Sequence, residues 1–251
     1  MVHIVGAGPG APDLITLRGA ELLKAADVVI YAGSLVNPAL LDMCKADCEI
    51  HNSAKMTLEA VIKVMEKAES EGKTTVRLHT GDPCLYGAIQ EQMDELIKRG
   101  IEYDITPGVS SFCGAAAAVG AEYTLPAVSQ SVIITRMAGR TPVPDRESIA
   151  EMSRHGTSMV LFLSTGLLEN LQKELVKGEY TDSTPAAIVY KATWPEEKVM
   201  RCTVGTLAET AKANGVHETA LILVGDFLNG TVERSKLYDP GFTTKFREAE
   251  K

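Results

Sequence analysis

The stretch VGAGPGAPDL, residues 5–14, decides the fold, and the stretch TGDPCLY, residues 80–86, shows the same pattern of glycine and proline after a predicted strand. In the first stretch, three glycines within five residues remove the Cβ atoms that would keep a ligand away from the backbone, and Pro9 fixes one φ angle between them. In the second stretch, a buried strand runs into Gly81, an acid and a proline. Turns of this kind at the carboxyl ends of parallel strands indicate one crevice for a small ligand.

Composition restricts the class of protein. The chain has 251 residues, a formal net charge of −8 and a pI of about 5.2. This acidity argues against a nucleic-acid-binding protein, but it does not exclude an anionic small substrate, because a local pocket can differ in sign from the whole surface. No apolar run approaches the roughly 20 residues of a membrane span, and the N-terminus carries no signal-peptide pattern. With five scattered cysteines, these features predict a reduced, cytoplasmic protein that binds neither nucleic acid nor membranes.

Short β-type runs alternate with helical periods along the chain. In the first half the pattern predicts helices at residues 16–26, 57–70, 86–99 and 110–119, and strands at 2–5, 27–31, 74–79 and 101–106. Such β/α units form a mostly parallel sheet. In the second half it predicts strands at 131–136, 159–164, 186–193, 199–204 and 220–227, with the segment 199–204 antiparallel to its predecessor. The fold class is therefore α/β, with an N-terminal domain of mostly parallel sheet (residues 1–115), a C-terminal domain of mixed sheet (116–230) and a polar tail (231–251).

Three interpretations compete for the first glycine turn. They are a structural strand–helix connection, a dinucleotide-binding turn, and the turn of the most widespread S-adenosylmethionine methyltransferases. Gly6, Gly8 and Ala11 fit the dinucleotide pattern G-x-G-x-x-G/A. Both ligand-binding alternatives require an acid at the end of the second strand, where this chain has Ala32-Gly33-Ser34. Two prolines in the turn also fit poorly at a helix start whose N–H groups should face a phosphate. The residues therefore disfavour both nucleotide interpretations.

Five motifs, in order over nearly the whole chain, resemble the tetrapyrrole methylase family. They are VGAGPGAPDLITLRGAELLKAADVVIYAGSLV (5–36), HTGDPCLYG (79–87), TPGVSSFCGAAAAVG (106–120), LPAVSQSVIITRMAGRTPVP (125–144) and TALILVGDFL (219–228). Members of this family are S-adenosylmethionine-dependent enzymes of corrin and sirohaem synthesis, with a fold unlike that of the most widespread methyltransferases. The resemblance implies S-adenosyl-L-methionine as the cofactor, a tetrapyrrole as the substrate, a tetrapyrrole methylase-like fold of two α/β domains, and a homodimer.

Within the family, four segments resemble the branch that methylates carbon 11 of precorrin-4 or cobalt-precorrin-4. They are YAGSLVNPALL (31–41), HNSAKMTLE (51–59), SQSVIITRMAGRTPVP (129–144) and RSKLYDPGF (234–242). The uroporphyrinogen methylases usually carry an Asp-Arg-Leu-type sequence where this chain has Ala-Gly-Ser-Leu at 32–35. The family's second turn usually reads Gly-Gly-Asp-Pro, and Thr80 stands at its first position here.

By motif match, the resemblance implies that ten residues bind the cofactor between the two domains: Pro9, Thr80, Gly81, Asp82, Leu85, Ser110, Ser111, Leu163, Ala192 and Ala220. Asp82 also has a structural interpretation as a helix N-cap, because it directly precedes a proline. The implied mechanism is direct displacement at the cofactor's methyl group, in which the protein aligns the reacting atoms and excludes water. No protein nucleophile is required, so the catalytic residues stay unknown, and the sequence names no proton acceptor.

A corrinoid carries many carboxylates, so cationic side chains in the family-like motifs are candidates to bind it, and aromatic side chains beside the cofactor loops are candidates to stack on it. These substrate-binding candidates are Arg18, Lys55, Tyr86, Phe112, Arg136 and Arg140. For each of them, a solvated surface charge or ordinary packing is the alternative. His3, His155 and His217 lack metal-ligand spacing. Cys44 and Cys48, four residues apart on a predicted helix, are expected to be half-buried thiols. No protein-bound metal is predicted.

Three other functions stay open at this point. One is a related methylase acting on another ring carbon, with uroporphyrinogen or precorrin-2 as substrate, against which residues 32–35 count. Another is a nicotinamide-dependent oxidoreductase, against which the missing acid after the second strand counts. The third is a metabolite-binding module of the same fold without activity.

Overall fold

The computed structural model describes residues 1–33, 35–230 and 233–249. Two compact units make up the chain, Met1–Ala115 with Lys191–Glu197, and Ala116–Tyr190 with Lys198–Lys251. The segment Lys191–Glu197 thus belongs to the first unit, although the sequence-based division assigns it to the second domain. The division into domains at 1–115 and 116–230 with a tail stays a prediction. Ser34 of the Ala-Gly-Ser-Leu motif, and Thr231, Val232, Glu250 and Lys251 of the tail, lie outside the described residues.

Within the described residues, the first unit contains a parallel sheet of five strands in the order β3-β2-β4-β1-β5. The strands are β1 (Val2–Gly6), β2 (Val28–Tyr31), β3 (Glu49–Asn52), β4 (Thr75–His79) and β5 (Tyr103–Thr106). The central strands β1, β2 and β4 are almost entirely buried, as expected where helices cover both faces of a parallel sheet, although β4 carries the polar residues Thr75, Arg77 and His79. The predicted parallel arrangement is confirmed, and β3 is a strand that the sequence pattern did not predict.

The helices of the first unit pack on both faces of this sheet. They are α1 (Leu17–Ala25), α2 (Leu58–Ser70) and α3 (Gln90–Lys98). A fourth helix, α4 (Ser111–Val119), begins in the first unit and crosses its boundary at Ala115. Because side chains alternate along a strand, Val28 and Ile30 pack with the apolar side chains of α2 and α3, whereas Val29 packs with Leu23 of α1. Thr16 and Thr57 begin α1 and α2 as predicted, since their hydroxyls accept hydrogen bonds from the third N–H of each helix.

Two local predictions in this unit are wrong. The helix predicted at 86–99 begins only at Gln90, because Tyr86 (φ 57°) and Ala88 (φ 48°) adopt left-handed backbone conformations that a right-handed helix cannot contain. The segment after Asn37 forms a short 3-10 helix, Pro38–Met43, so Cys44 and Cys48 are not helical. Both thiols are nevertheless half-buried as expected, and burial raises the pKa of each.

Within the described residues, the second unit contains a mixed sheet of five strands in the order β6-β7-β10-β8-β9. The strands are β6 (Val132–Arg136), β7 (Ser158–Phe162), β8 (Pro185–Tyr190), β9 (Lys198–Thr203) and β10 (Ala220–Val224). Only β6 and β7 pair in parallel, and β8 pairs antiparallel with β9 as predicted. The helices are α5 (Ile149–Ser153), α6 (Leu168–Leu175) and α7 (Leu207–Ala213). The sequence pattern predicts helices at 146–155 and 167–176, near α5 and α6, but none at α7. Leu168, Leu171 and Leu175 of α6 pack in the core beside this sheet. The predicted α/β class is confirmed.

Three glycines meet at the carboxyl edge of the first sheet, and we call this group the glycine junction. Gly6 ends β1, while Gly81 and Gly108 follow β4 and β5. A Cβ atom on Gly6 would lie 2.6 Å from the Cα of Gly108 and 2.7 Å from the carbonyl oxygen of Gly81. A Cβ atom on Gly108 would lie 2.2 Å from that same oxygen. Three backbone segments therefore approach one another at a distance that excludes any side chain.

The glycine junction predicts that Gly108→Ala lowers the free energy of unfolding of the first unit by roughly 3 kcal/mol, the upper end of typical overpacking costs, because only rigid backbone surrounds the new methyl group. Gly100→Ala is the matched control. Gly100 has φ +66°, and an added Cβ there would have nothing within 4 Å. The alanine variant should therefore lose only about 1 kcal/mol of unfolding free energy, because alanine is strained in a left-handed backbone conformation. Urea unfolding followed by circular dichroism measures both, and equal losses would contradict the steric argument.

Candidate functional site

The two glycine turns singled out in the sequence lie side by side in the first unit. The N–H of Ala7 donates to the carbonyl of His79 at 2.7 Å. One residue further on, Gly8 and Gly81 form an isolated antiparallel bridge, with N–H···O distances of 3.2 and 2.9 Å. Both glycines have positive φ, 80° and 62°, which explains the residue type at these positions. Backbone hydrogen bonds between the two chain segments therefore extend beyond the ends of β1 and β4 and join the first glycine turn to the Gly-Asp-Pro turn.

Asp82 joins the second turn to the loop after β5. One carboxylate oxygen accepts from the N–H of Cys84 at 2.8 Å, and the other accepts from the N–H of Gly108 at 2.9 Å. Burial alone would raise the pKa of Asp82, but hydrogen bonds from Cys84 and Gly108 outweigh it and hold the pKa below its ordinary value. Asp82 is therefore ionised at neutral pH. Its interpretation as the N-cap of the following α-helix is wrong, since α3 begins eight residues later.

Two buried polar atoms at the end of β4 have no hydrogen-bond partner, Nε2 of His79 and Oγ1 of Thr80. His79 is only 4% exposed. Burial, with a smaller contribution from the charge of Arg77, lowers the pKa of His79 to about 3, so its imidazole is neutral at physiological pH. Unsatisfied buried groups are rare in folded proteins and call for an explanation such as a bound ligand or water.

A buried hydrogen-bond network that the sequence reading missed supports this region. Arg77 on β4 donates from Nε to Oε1 of Gln92 at 2.9 Å and from Nη1 to the carbonyl of Ile30 at 3.1 Å. Burial lowers the pKa of Arg77 to about 10, which leaves it cationic at neutral pH. Gln92 in turn donates from Nε2 to the carbonyl of Ala88 at 2.9 Å. The network therefore fixes the left-handed segment that carries Tyr86.

The segment Lys191–Glu197, which we call the strap, contacts the first turn. The indole N–H of Trp194 donates to the carbonyl of Pro9 at 3.2 Å, and the hydroxyl of Thr193 accepts from the N–H of Ala11 at 3.0 Å. The sequence analysis named only Ala192 in this region. The strand predicted at 186–193 ends at Tyr190, because Lys191 and Thr193 have positive φ.

The structure brings together most of the predicted cofactor residues that belong to the first unit. Pro9 and Ala192 are buried, and Thr80, Gly81 and Asp82 form the second turn. An added Cβ on Gly81 would lie 3.4 Å from the nitrogen of Ser111 and 3.5 Å from the Cα of Ser110, so the start of α4 borders that turn. The N–H of Leu85 donates to the carbonyl of Asp82 at 3.3 Å. Their predicted roles toward a ligand stay predictions.

The remaining predicted cofactor residues belong to the second unit. Leu163 directly follows β7 and is 63% exposed. Its φ of 50° is a left-handed backbone conformation, which is unusual for a leucine. Ala220 begins β10 and is buried, and its carbonyl accepts from the hydroxyl of Thr165 at 3.1 Å.

The predicted substrate residues differ in their surroundings. Arg18, Lys55 and Arg140 are exposed, Tyr86 is 45% exposed, and Phe112 is half-buried on α4. Arg136 is not a purely solvated charge, because its guanidinium donates to the carbonyls of Met137, Thr141 and Pro142 and so fixes the loop after β6. In the part of the chain that the structure describes, no group of three or more His, Cys, Asp or Glu side chains could hold a metal ion. Over the same residues, no helix has the length and apolarity to cross a membrane.

Comparisons with known proteins agree with this architecture. The family model of the Tetrapyrrole (Corrin/Porphyrin) Methylases matches residues 1–208. The cobalt-precorrin-4 C(11)-methyltransferase of Methanocaldococcus jannaschii is 51% identical over 251 residues, which cover 100% of this chain and 97% of that relative. The X-ray structure of a cobalamin biosynthetic enzyme, a cobalt-precorrin-4 methyltransferase, superposes with a TM-score of 0.88 at 46% identity, covering 90% of this chain and 95% of the other.

A third similarity concerns a ligand complex. The uroporphyrin-III C-methyltransferase of Thermus thermophilus, solved with S-adenosylhomocysteine, superposes with a TM-score of 0.77 at 26% identity, covering 93% of this chain and 95% of that one. The family match and these relatives, together with the two α/β units, show that the protein is a methyltransferase. The chain belongs to the tetrapyrrole methylase family. The predicted family and enzyme class are confirmed, and the oxidoreductase alternative is not supported.

The buried imidazole generates a prediction about titration. Since the pKa of His79 is lowered to about 3 from an ordinary 6.5, its NMR signals should show no protonation between pH 8 and about 5. The unfolded chain binds this proton and the folded chain does not, so the contribution of His79 to stability is complete above pH 6.5 and is lost as the pH falls toward 3. His79→Gln assigns the signal among the five histidines, and a midpoint near 6.5 would contradict burial.

A second prediction concerns Asp82. Asp82→Asn should lower the free energy of unfolding by about 1–3 kcal/mol at pH 7, because an amide nitrogen facing Gly108 or Cys84 leaves a backbone N–H without an acceptor. The pKa of Asp82 is lowered on folding, so its stabilisation is complete above the ordinary value of 3.8 and is lost as the pH falls through the folded pKa. Urea unfolding against pH measures this, with the exposed Asp145→Asn as control. If the difference in free energy of unfolding between the wild type and Asp82→Asn stayed unchanged down to about pH 2, a role of the Asp82 charge would be excluded.

Proposed function

We propose that this protein transfers a methyl group from S-adenosylmethionine to carbon 11 of cobalt-precorrin-4 or precorrin-4, in corrin ring synthesis. The observation that carries this proposal is the 51% sequence identity, over the whole of this chain, to the cobalt-precorrin-4 C(11)-methyltransferase of Methanocaldococcus jannaschii. The four sequence segments that resemble this branch of the family also support it. Since both the archaeal relative and the superposed X-ray structure are named for the cobalt form, we propose the cobalt-bearing substrate as the preferred one.

The residues of the first unit fit the proposed cofactor. S-adenosylmethionine supplies a methyl group bonded to a positively charged sulfur. Ionised Asp82 is an anion that suits a nearby cation, and the hydroxyl of Thr80 is a buried polar group without a partner. The glycine junction holds the two glycine turns and the loop after β5 together, so the proposed cofactor residues of these segments lie along one edge of the first sheet.

We assign the ten predicted cofactor residues to this site as proposals. Pro9, Thr80, Gly81, Asp82, Leu85, Ser110, Ser111 and Ala192 would hold the cofactor from the first unit, and the assignment of Leu163 and Ala220 rests on motif match alone. The task of these residues is to bind, orient and exclude water, which accounts for their small or apolar character. His79 is not suited to accept the substrate's proton, because it is buried and its pKa lies near 3.

The six predicted substrate residues are proposed to act on the carboxylates and the ring of the macrocycle. Arg18, Lys55 and Arg140 are exposed cations in a chain of net charge −8, so they can attract an anionic substrate locally. Tyr86 and Phe112 offer aromatic surface beside the cofactor turns. Arg136 is proposed to act through the loop that its guanidinium fixes. We also propose a cytoplasmic homodimer, on the resemblance to the family.

The proposed function predicts one methyl group transferred to carbon 11 when the purified protein is incubated with S-adenosylmethionine carrying a 13C-labelled methyl group. Cobalt-precorrin-4 and precorrin-4 are tested in parallel, and kcat/KM should be higher for the cobalt form. NMR of the product identifies the methylated carbon. Uroporphyrinogen and precorrin-2 are the control substrates. Methylation of another ring carbon, or faster turnover of a control substrate, would overturn the proposal.

A further inference from the structure

The strap Lys191–Glu197 has no assigned role beyond the predicted contact of Ala192. We propose that the strap positions the Pro9 turn for cofactor binding, with Trp194 and Thr193 as its positioning residues. This inference rests on the proposed function, since it concerns the turn that we assign to S-adenosylmethionine. It is carried by contacts within the first unit alone.

The strap contacts the turn on both sides of Gly10. The carbonyl before Gly10 accepts from the Trp194 indole, and the N–H after it donates to the Thr193 hydroxyl. The indole lies directly on Gly10, because an added Cβ there would meet the ring at 2.0 Å. The remaining carbonyl, that of Gly10 itself, accepts from Nδ2 of Asn37 at 2.9 Å. Each of three consecutive residues is therefore held by one side-chain hydrogen bond.

Pro9 is also enclosed from the side of α4. An added Cβ on Gly114 would lie 3.0 Å from the Cβ of Pro9 and 3.1 Å from Cγ2 of Thr193. The Pro9 ring and the Thr193 methyl group thus pack against the same spot on α4. Since the ring of Pro9 already fixes its own φ, contacts on two sides leave the turn little freedom. A turn that is rigid before binding loses less entropy when a ligand arrives.

The backbone of the strap is strained, which argues against an ordinary connection. Lys191 has φ 46° and Thr193 has φ 70°, and for a β-branched residue a positive φ is a genuine outlier. The N–H of Thr193 donates to a carboxylate oxygen of Glu197 at 2.6 Å, and the ammonium of Lys191 lies 5.2 Å from the centre of the Trp194 ring. Strain of this kind persists where surrounding contacts fix it, and it is concentrated at functional sites.

The test uses a matched pair at one position in the full-length protein. Thr193→Val removes the hydroxyl that accepts from Ala11 but keeps the branched shape, whereas Thr193→Ser keeps the hydroxyl. Isothermal titration with S-adenosylhomocysteine should show roughly fivefold weaker binding for the valine variant and binding within about twofold of wild type for the serine variant. KM for S-adenosylmethionine should rise with kcat nearly unchanged, and circular dichroism should show equal folding of both variants.

A double-mutant cycle tests the contact between Gly10 and the indole. Gly10→Ala should weaken binding of S-adenosylhomocysteine at least tenfold in the wild-type background, because the new methyl group displaces the ring. In the Trp194→Ala background, the same substitution should cost much less. Equal costs in both backgrounds would show that Trp194 does not hold the turn. Trp194 is the chain's only tryptophan, so its fluorescence emission in the wild type should also respond to S-adenosylhomocysteine.

Hydrogen exchange separates a failure of this inference from a failure of the proposed function. In the ligand-free protein, a peptide covering residues 7–11 should exchange faster in Thr193→Val than in Thr193→Ser. If the two variants match in both exchange and affinity while the wild type transfers methyl groups, the positioning role is refuted and the proposed function stands. If the wild type binds no S-adenosylhomocysteine although exchange differs as expected, the proposed function fails and the contact stands.

Discussion

The close approach of three backbone segments at the glycine junction is the constraint on which the rest of the site depends. Because no side chain separates Gly6, Gly81 and Gly108, the N–H of Gly108 reaches the Asp82 carboxylate, and Gly8 pairs with Gly81. These hydrogen bonds connect turns that are more than 25 residues apart in the chain. Apolar burial holds the sheet and its helices together, but the geometry of this edge is determined by steric exclusion and by directional hydrogen bonds.

Beneath this edge lies an unusual set of buried polar groups. Arg77 is buried, and its two hydrogen bonds go to a carbonyl and an amide, which satisfy it without neutralising its charge. Two residues further along β4, His79 stays neutral and leaves one nitrogen without a partner. Burying such groups costs free energy, so a fold that retains them gains something else from them. Here the gain is a fixed connection from β4 through Gln92 to the segment that carries Tyr86.

The sequence was sufficient to predict what depends on local patterns. The alternation of short β-type runs with helical periods predicted the parallel sheet, α1 and α2, and turn chemistry identified both glycine turns. It was insufficient where non-glycine residues adopt left-handed conformations, because Tyr86, Ala88 and Lys191 carry no sequence signature of a positive φ. It also could not show that Asp82 holds Gly108 instead of capping a helix, or that the strap belongs to the first unit. Those facts depend on contacts between distant residues, and the family resemblance named candidates without their neighbours.

The order of synthesis gives the strap a further consequence. The strands of the first sheet are complete once the ribosome has passed Thr106, but the indole that binds the Pro9 carbonyl follows 185 residues after that proline. While residues 107–193 are being translated, the nascent chain therefore has all five strands of the first sheet but lacks the indole that contacts its N-terminal turn. The strap contacts therefore depend on translation of a much later part of the message, and a fragment that ends before residue 193 would lack both of them.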